Sequence, residues 1–489
     1  MTHATTQTAP KGTTQSSTPF HWKGAKILPT ALIFITAMSM WMMTPPEGLT
    51  VQTWHLFVVF LATIVGVIAK PLPMGAIVVL AISALSTTQT LKLDQCLSTF
   101  SSPVVWLIVM AFFLAKGFEK TGLGNRIAYF FMRALGKSNL GLSYGFVLTE
   151  LFLAPFIPSN TARGAGIIFP VVSALCHRQA ELGDKKSEHK LGSFLMAVCF
   201  HTNMITSAMF LTGLVGNPLI ATFAGASGVK IDWMTWAIAA IVPGIVNLLV
   251  MPWIVWKMNP AKLETSSDTV QFAKDKLTEL GSLKIQEWIM LITFGGILAL
   301  WVFGESSGID ATTTAFLGLS IMLVSGILDW RDLIKEHNAW ETMMWFAPLL
   351  MMATFLTKFG MMDWFSGHMQ TAVTGFSWPM ALVILSLIYY YVHYLFASVT
   401  AHITALYSAF LVVLIALGTP PMLAAISLAV LSSLSGTLTH FGTGTAPVYF
   451  GTGYFTVKSW WRMSFILSLF CLAIWSVVGG VWWKFLGYW

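Results

Sequence analysis

The sequence predicts an all-α polytopic membrane protein of about eleven transmembrane helices plus two re-entrant hairpins in an inverted repeat. Three observations lead there. Of 489 residues, 56% are hydrophobic and 10% charged, and the mean hydropathy is +0.74; a soluble chain of this length carries far more charge. The apolar residues fall in runs of roughly 17–25, the length one helix needs to cross about 30 Å of hydrocarbon. Two longer apolar stretches are interrupted near their centres by similar polar motifs.

The first four runs, at roughly 27–44, 53–69, 71–88 and 103–118, give four crossings. Residues 1–26 are rich in Thr and Ser and read as a disordered cytoplasmic tail. No A-x-A-like cleavage site follows the first run, so it reads as an uncleaved span. Lys11, Lys23 and Lys26 precede it, Lys70 follows the second run, and Lys116 to Lys137 follow the fourth. The loop around Pro45 has no Lys or Arg, which places the N-terminus in the cytoplasm. The net charge of +7 is therefore a positive-inside signal and not a nucleic-acid footprint. Residues 123–135 put Ile127, Phe130, Phe131 and Leu135 on one face and Arg126 and Arg133 on another, the pattern of an interfacial helix.

The stretch 139–175 is broken from Ala154 to Thr161 by two prolines and a polar triplet. Basic loops flank both ends, so it reads as a re-entrant hairpin, whose exposed backbone must line a cavity. Spans near 193–222 and 233–257 follow, then a polar linker at 258–284 with cytoplasmic lysines, then spans at 286–304, 311–328 and 340–357. The second broken stretch, 379–417, is interrupted from Ala397 to His402 and enters from the outside. Spans at 421–449 and 463–486 leave the C-terminus extracytoplasmic.

The two breaks resemble each other: Ser159-Asn160-Thr161-Ala162-Arg163 against Ser398-Val399-Thr400-Ala401-His402. Trp106 stands 53 residues before Ser159, and Trp345 stands 53 before Ser398. Each Trp is followed by a Lys-x-Gly element, at Lys120 and Lys358. Five crossings separate the hairpins, so the second copy is upside down. Inverted repeats with paired broken helices are a signature of secondary transporters, and the breaks mark the substrate site.

Each tip starts a half-helix with free N–H groups and a positive dipole end. Ser159 and Ser398 suit its N-cap. With Asn160, Thr161, Val399 and Thr400 they form two uncharged cradles, matched to a ligand with two carboxylates. Arg163 and His402 lie four residues past their serines. A guanidinium at membrane depth costs at least about 2.5–3.5 kcal/mol unless paired. Arg163 therefore either serves the ligand or pairs with Glu150 on the other arm and braces the hairpin; Glu150 could also carry a proton. Beyond the hairpins, Thr206, Gly213, Thr443, Gly444, Thr445 and Pro447 lie in Gly/Thr-rich stretches that should unwind and line the cavity. His201, His393 and His440 read as packing residues. Cys96, Cys176, Cys199 and Cys471 have no regular spacing and read as small core residues, with no metal or cofactor implied. No HExxH, GxSxG or Walker A motif occurs, and enzyme signals are absent.

At this point the chain resembles the divalent anion:sodium symporter (DASS) family, in particular its dicarboxylate-exchanger branch of citrate/succinate antiporters and 2-oxoglutarate/malate translocators. The mark is a Ser-Asn-Thr triplet at each tip. Ser159-Asn160-Thr161 matches fully, whereas Ser398-Val399-Thr400 lacks the Asn. The resemblance implies an elevator-type homodimer in the inner membrane whose partners are di- or tricarboxylates and the bilayer. It divides the chain into tail (1–26), scaffold (27–137), transport part with first hairpin (138–257), linker (258–285), second scaffold (286–360) and second transport part (361–489). In sodium-coupled members the triplet asparagines and nearby carbonyls hold sodium. Here Arg163 and His402 would compensate charge in its place, which implies sodium-independent antiport. Proton- or sodium-coupled symport on the same fold is the alternative.

Overall fold

The computed structural model describes residues 24–181, 185–260, 266–303, 308–372 and 377–489. Residues 1–23 of the expected tail, Lys262 and Glu305 lie outside them. The described chain is helical, with no strand. Eight described helices are long and apolar enough to cross a bilayer, or nine if Leu93–Ser101 and Pro103–Thr121, bent by 50°, count as one span.

Several of the expected spans form shorter apolar helices among the described residues. The runs expected at 27–44, 71–88, 311–328 and 421–449 yield helices of 15, 14, 14 and 15 residues: Ile27–Trp41, Met74–Thr87, Ala311–Val324 and Pro421–Ser435. The causes are local. Pro71 and Pro73 delay the second of these helices, Gly326 closes the third in a left-handed conformation at φ 71°, and the fourth unwinds at Gly436. Where caps exist they are side chains: Thr50 accepts from the Thr53 N–H at 3.1 Å, Asp232 from Thr235 at 2.7 Å, and Asp310 from Thr312 at 2.9 Å.

One succession of elements occurs twice. A short helical segment leads into a long helix (Leu93–Ser101 into Pro103–Thr121; Trp330–Lys335 into His337–Lys358), followed by a shorter helix (Leu123–Leu135; Met361–Ala372). Next come two helical arms separated by a break, then a helix that unwinds at its end (Lys185–Met209; Pro421–Ser435). A short helix (Asn217–Ala226; Ala446–Phe450) and a long one (Trp233–Met258; Val457–Ile474) complete each copy.

The molecule packs around Lys185–Met209, whose apolar window is wholly enclosed, whereas Trp378–Leu395 is mostly uncovered. Helices Asn139–Leu153, Phe169–Glu181, Trp233–Met258 and Pro421–Ser435 surround it. A helix shielded from lipid can carry polar side chains, and His201, Thr202, Asn203, Thr206 and Ser207 are all buried on it. Phe118, Phe156 and Phe294 form a second contact zone, with Phe118–Phe294 and Phe156–Phe294 centroids at 4.3 and 4.8 Å. It joins the turn of the first break to helix Ile285–Phe303 of the other copy.

Helix Leu123–Leu135 buries Leu123, Gly124, Ala128 and Met132 rather than the expected Phe130 face, and Phe130 is 58% exposed. Its Arg126 is not free: Nε and Nη2 donate to the buried Glu287 at 2.6 and 3.1 Å, and Nη1 to the Gly281 carbonyl at 2.8 Å. Removing one partner leaves the other charge buried and unpaired. Arg126→Ala should lower stability by about 3 kcal/mol, read as thermal unfolding in detergent, and adding Glu287→Gln should recover much of the loss.

Candidate functional site

The first break begins where Pro155 and Pro158 end helix Asn139–Leu153. Ser159 restarts the helix: its Oγ accepts from the Ala162 N–H at 3.1 Å and its carbonyl from Arg163 at 3.1 Å. The chain then passes through a π-helical turn, Ala162–Ile168, into Phe169–Glu181. The second break repeats this construction. Ser398 Oγ accepts from Ala401 at 3.4 Å and its carbonyl from His402 at 3.1 Å, and a π turn, Ile403–Tyr407, follows. Its non-helical part lies at 396–398, earlier than the expected 397–402, because Ser398 caps a helix that already contains Thr400 and His402.

The expected unwinding beyond each tip is present. Lys185–Met209 stops at Phe210 and passes through a 3-10 turn, Leu211–Gly213, before Asn217–Ala226. Residues 436–445 form successive turns between Pro421–Ser435 and Ala446–Phe450. These stretches touch the first tip directly. Asn160 donates to Thr443 Oγ1 at 2.9 Å, and Tyr449 donates to the Gly164 carbonyl at 2.9 Å. A Cβ on Gly444 would lie 2.5 Å from Thr161 Oγ1. At the second tip, a Cβ on Gly216 would lie 2.5 Å from Ile403 Cδ1. Met204 sits between the tips: its sulfur is 3.4 Å from Asn160 Nδ2, and its methyl lies 2.9 Å from where a Gly436 Cβ would stand.

The expected site residues divide into a rim and a support. Ser159, Thr161, Ser398 and Thr400 are half-buried, and Gly444 and Pro447 are exposed. Asn160, Val399, Thr206, Gly213, Thr443 and Thr445 are buried. Thr206 bonds its own helix at the Asn203 carbonyl, 3.0 Å away. Val399 packs toward Gly436. Thr445 Oγ1 is buried with no hydrogen-bond partner among the described residues.

Arg163 is completely buried and is not an uncompensated cation. Its Nε donates to Glu150 Oε2 at 3.0 Å, Nη1 to the Gly213 carbonyl at 2.8 Å and to the Ile157 carbonyl, and Nη2 to Ser207 Oγ at 2.8 Å. Asn203 donates to the other Glu150 oxygen and, at 3.1 Å, to the Asn160 carbonyl. The pairing with Glu150 is one of the two roles expected for Arg163, and burial of a guanidinium at such depth is tolerated with its counter-ion beside it. His402 is likewise not placed against the unwound carbonyls. Its Nδ1 faces His393 Nδ1 at 3.0 Å and Ser435 Oγ at 3.4 Å, and it is His393 Nε2 that reaches the Gly442 carbonyl at 3.2 Å.

Asn203 and His393, which the sequence reading did not place among the candidate site residues, lie against them, Asn203 bonded to Glu150 and His393 facing His402. The available signal was membrane depth alone: both are polar side chains inside apolar runs. Among the described residues no group of three or more His, Cys, Asp or Glu side chains could hold a metal.

Comparison with known proteins bears on this geometry. The family described as the sodium:sulfate symporter transmembrane region matches residues 25–489. The chain belongs to this family. Its DASS relatives include YflS of Bacillus subtilis (strain 168), provisionally named a malate transporter, 49% identical over 95% of this chain and 97% of that one. Dicarboxylate transporter 1, chloroplastic, of Arabidopsis thaliana is 46% identical over 96% of this chain and 85% of its own. The citrate/succinate antiporter of Escherichia coli (strain K12) is 34% identical over 92% and 96%. The family and these relatives are transporters, so the chain is a membrane transport protein and not an enzyme.

Because Glu150 and Arg163 neutralise each other, single and double variants should differ in the size of their cost. Arg163→Gln alone should cost about 3–5 kcal/mol, and Glu150→Gln with Arg163→Gln should cost clearly less, as read by thermal unfolding in detergent.

Proposed function

We propose that the chain exchanges di- and tricarboxylates across a cell inner membrane by sodium-independent antiport, each acid held between the two tips. The observation that carries the proposal is the bonding of Arg163. Its guanidinium occupies the Gly213 and Ile157 carbonyls and the Ser207 hydroxyl. Uncoordinated carbonyls and hydroxyls at an unwound helix end are the ligands a sodium ion would take. Here fixed N–H donors fill them. At the second tip Val399 stands where the family motif has Asn, and His393 engages the Gly442 carbonyl. The names of the relatives support the substrate class.

The cradle itself consists of the half-buried hydroxyls of Ser159, Thr161, Ser398 and Thr400, the N–H ends of both resumed helices, and Thr445 Oγ1. Each helix start contributes roughly half a positive charge, and no mobile co-ion accompanies it. In this reading the two breaks are re-entrant hairpins of an inverted repeat, about eleven helices cross the bilayer, and the N-terminus is cytoplasmic. Two copies pair through the scaffold parts (27–137 and 286–360), and the transport parts (138–257 and 361–489) slide as an elevator. An empty unit would carry two unneutralised dipole ends through a low-dielectric region, and bound dianion offsets them. The loaded unit therefore moves and the empty one does not, which is exchange.

Counterflow in proteoliposomes tests this. Succinate or malate exchange should hold within about twofold when choline replaces sodium, while uptake into vesicles without internal acid should be slower by at least about tenfold, as expected for moving uncompensated positive charge through the bilayer interior. Arg163→Gln with His402→Gln should abolish exchange. Sodium-dependent counterflow, or net uptake at the exchange rate, would favour co-ion symport and overturn the proposal.

A further inference from the structure

Away from the two tips, a cavity of about 820 Å³ lies beside helix Leu123–Leu135. One wall is Ile127, Phe130 and Phe131 of that helix, and Phe152 and Leu291 close the back. The other wall comes from linker helix Ser266–Leu280 with Lys274 and Leu277. Two cations stand at its edge. Arg126, also in the lining, is committed to Glu287 and to backbone carbonyls, whereas Arg133 and Lys274 form no ion pair among the described residues. The nearby linker carboxylates do not serve them: Asp275 accepts from Gln271 at 2.7 Å and Glu279 from Lys276 at 2.8 Å.

We propose that this groove is a binding site for an anionic phospholipid, with its acyl chain along the Phe130–Leu277 wall and its phosphodiester on Arg133 and Lys274. Three features favour a lipid over other occupants. The apolar face is left open, with Phe130 58% exposed, and an amphipathic helix of this composition lies at the membrane–water boundary. Free basic side chains sit at the rim of an apolar slot, the pairing of charge and hydrocarbon that a phospholipid presents. A second copy of the chain seated here would have to bury both cations without an acidic partner.

The site also has a mechanical setting. Leu123–Leu135 is the link between helix Pro103–Thr121 and the first arm, Asn139–Leu153, so a lipid in the groove ties that link to the linker helix.

Native mass spectrometry of the full-length protein in detergent, titrated with phosphatidylglycerol or phosphatidylcholine of equal chain length, reads lipid adducts and oligomeric state together. Wild type should retain phosphatidylglycerol in preference to phosphatidylcholine. Arg133→Ala with Lys274→Ala, both surface changes, should reduce that preference on the order of tenfold. Phe130→Ser with Leu277→Ser should reduce retention of both lipids. Equal retention of the two lipids by wild type, or an unchanged preference in the charge variant, would overturn the proposal. So would displacement of the lipid by millimolar inorganic phosphate, which would mark a free-anion site, or a change of oligomeric state without a change in adducts, which would mark a protein interface.

Discussion

The buried pair of Arg163 and Glu150 is the contact on which the first half of the site depends. A broken helix in a bilayer leaves carbonyls with no intrahelical donor, and lipid offers no substitute. Arg163 supplies that donor to Ile157 in the break and to Gly213 in the adjoining unwound stretch, while Glu150 on the opposite arm balances its charge. Asn203 completes the arrangement by bonding both Glu150 and the Asn160 carbonyl. Three helices are fixed to one another by one ion pair and the hydrogen bonds around it.

The second tip has the same backbone and a different chemistry. Ser398 caps and the π turn follows as at the first tip, yet among the described residues no carboxylate is bonded to His402. Two imidazoles share the space behind it, with Tyr389 packed on the His402 ring at a centroid distance of 4.4 Å. Where one half balances a cation with an anion, the other places two imidazoles against each other. The repeat therefore conserves geometry while dividing its electrostatics unequally.

Much of this was legible in the residues. Proline and Ser caps have local consequences, so the breaks at Pro155–Ser159 and near Ser398 could be placed within a few positions. Helix lengths were less legible, since apolar runs such as 421–449 do not announce where a glycine such as Gly436 will unwind them. Partners distant in sequence were legible only where charge demanded one, as with Glu150 for Arg163. Neutral partners carry no such demand. Asn203 and His393 look like any polar residue on an enclosed helix until the fold brings Glu150, Asn160 and His402 against them.

Close approaches between the two halves of the repeat at the tips are made by glycine: Gly444 against Thr161 and Gly216 against Ile403, each with no room for a methyl group. A gap bounded on one side by bare main chain has no rotamers with which to yield. Its width is a property of the fold rather than of any swinging side chain, and under the proposed binding of acids between the tips it would sort them by length first.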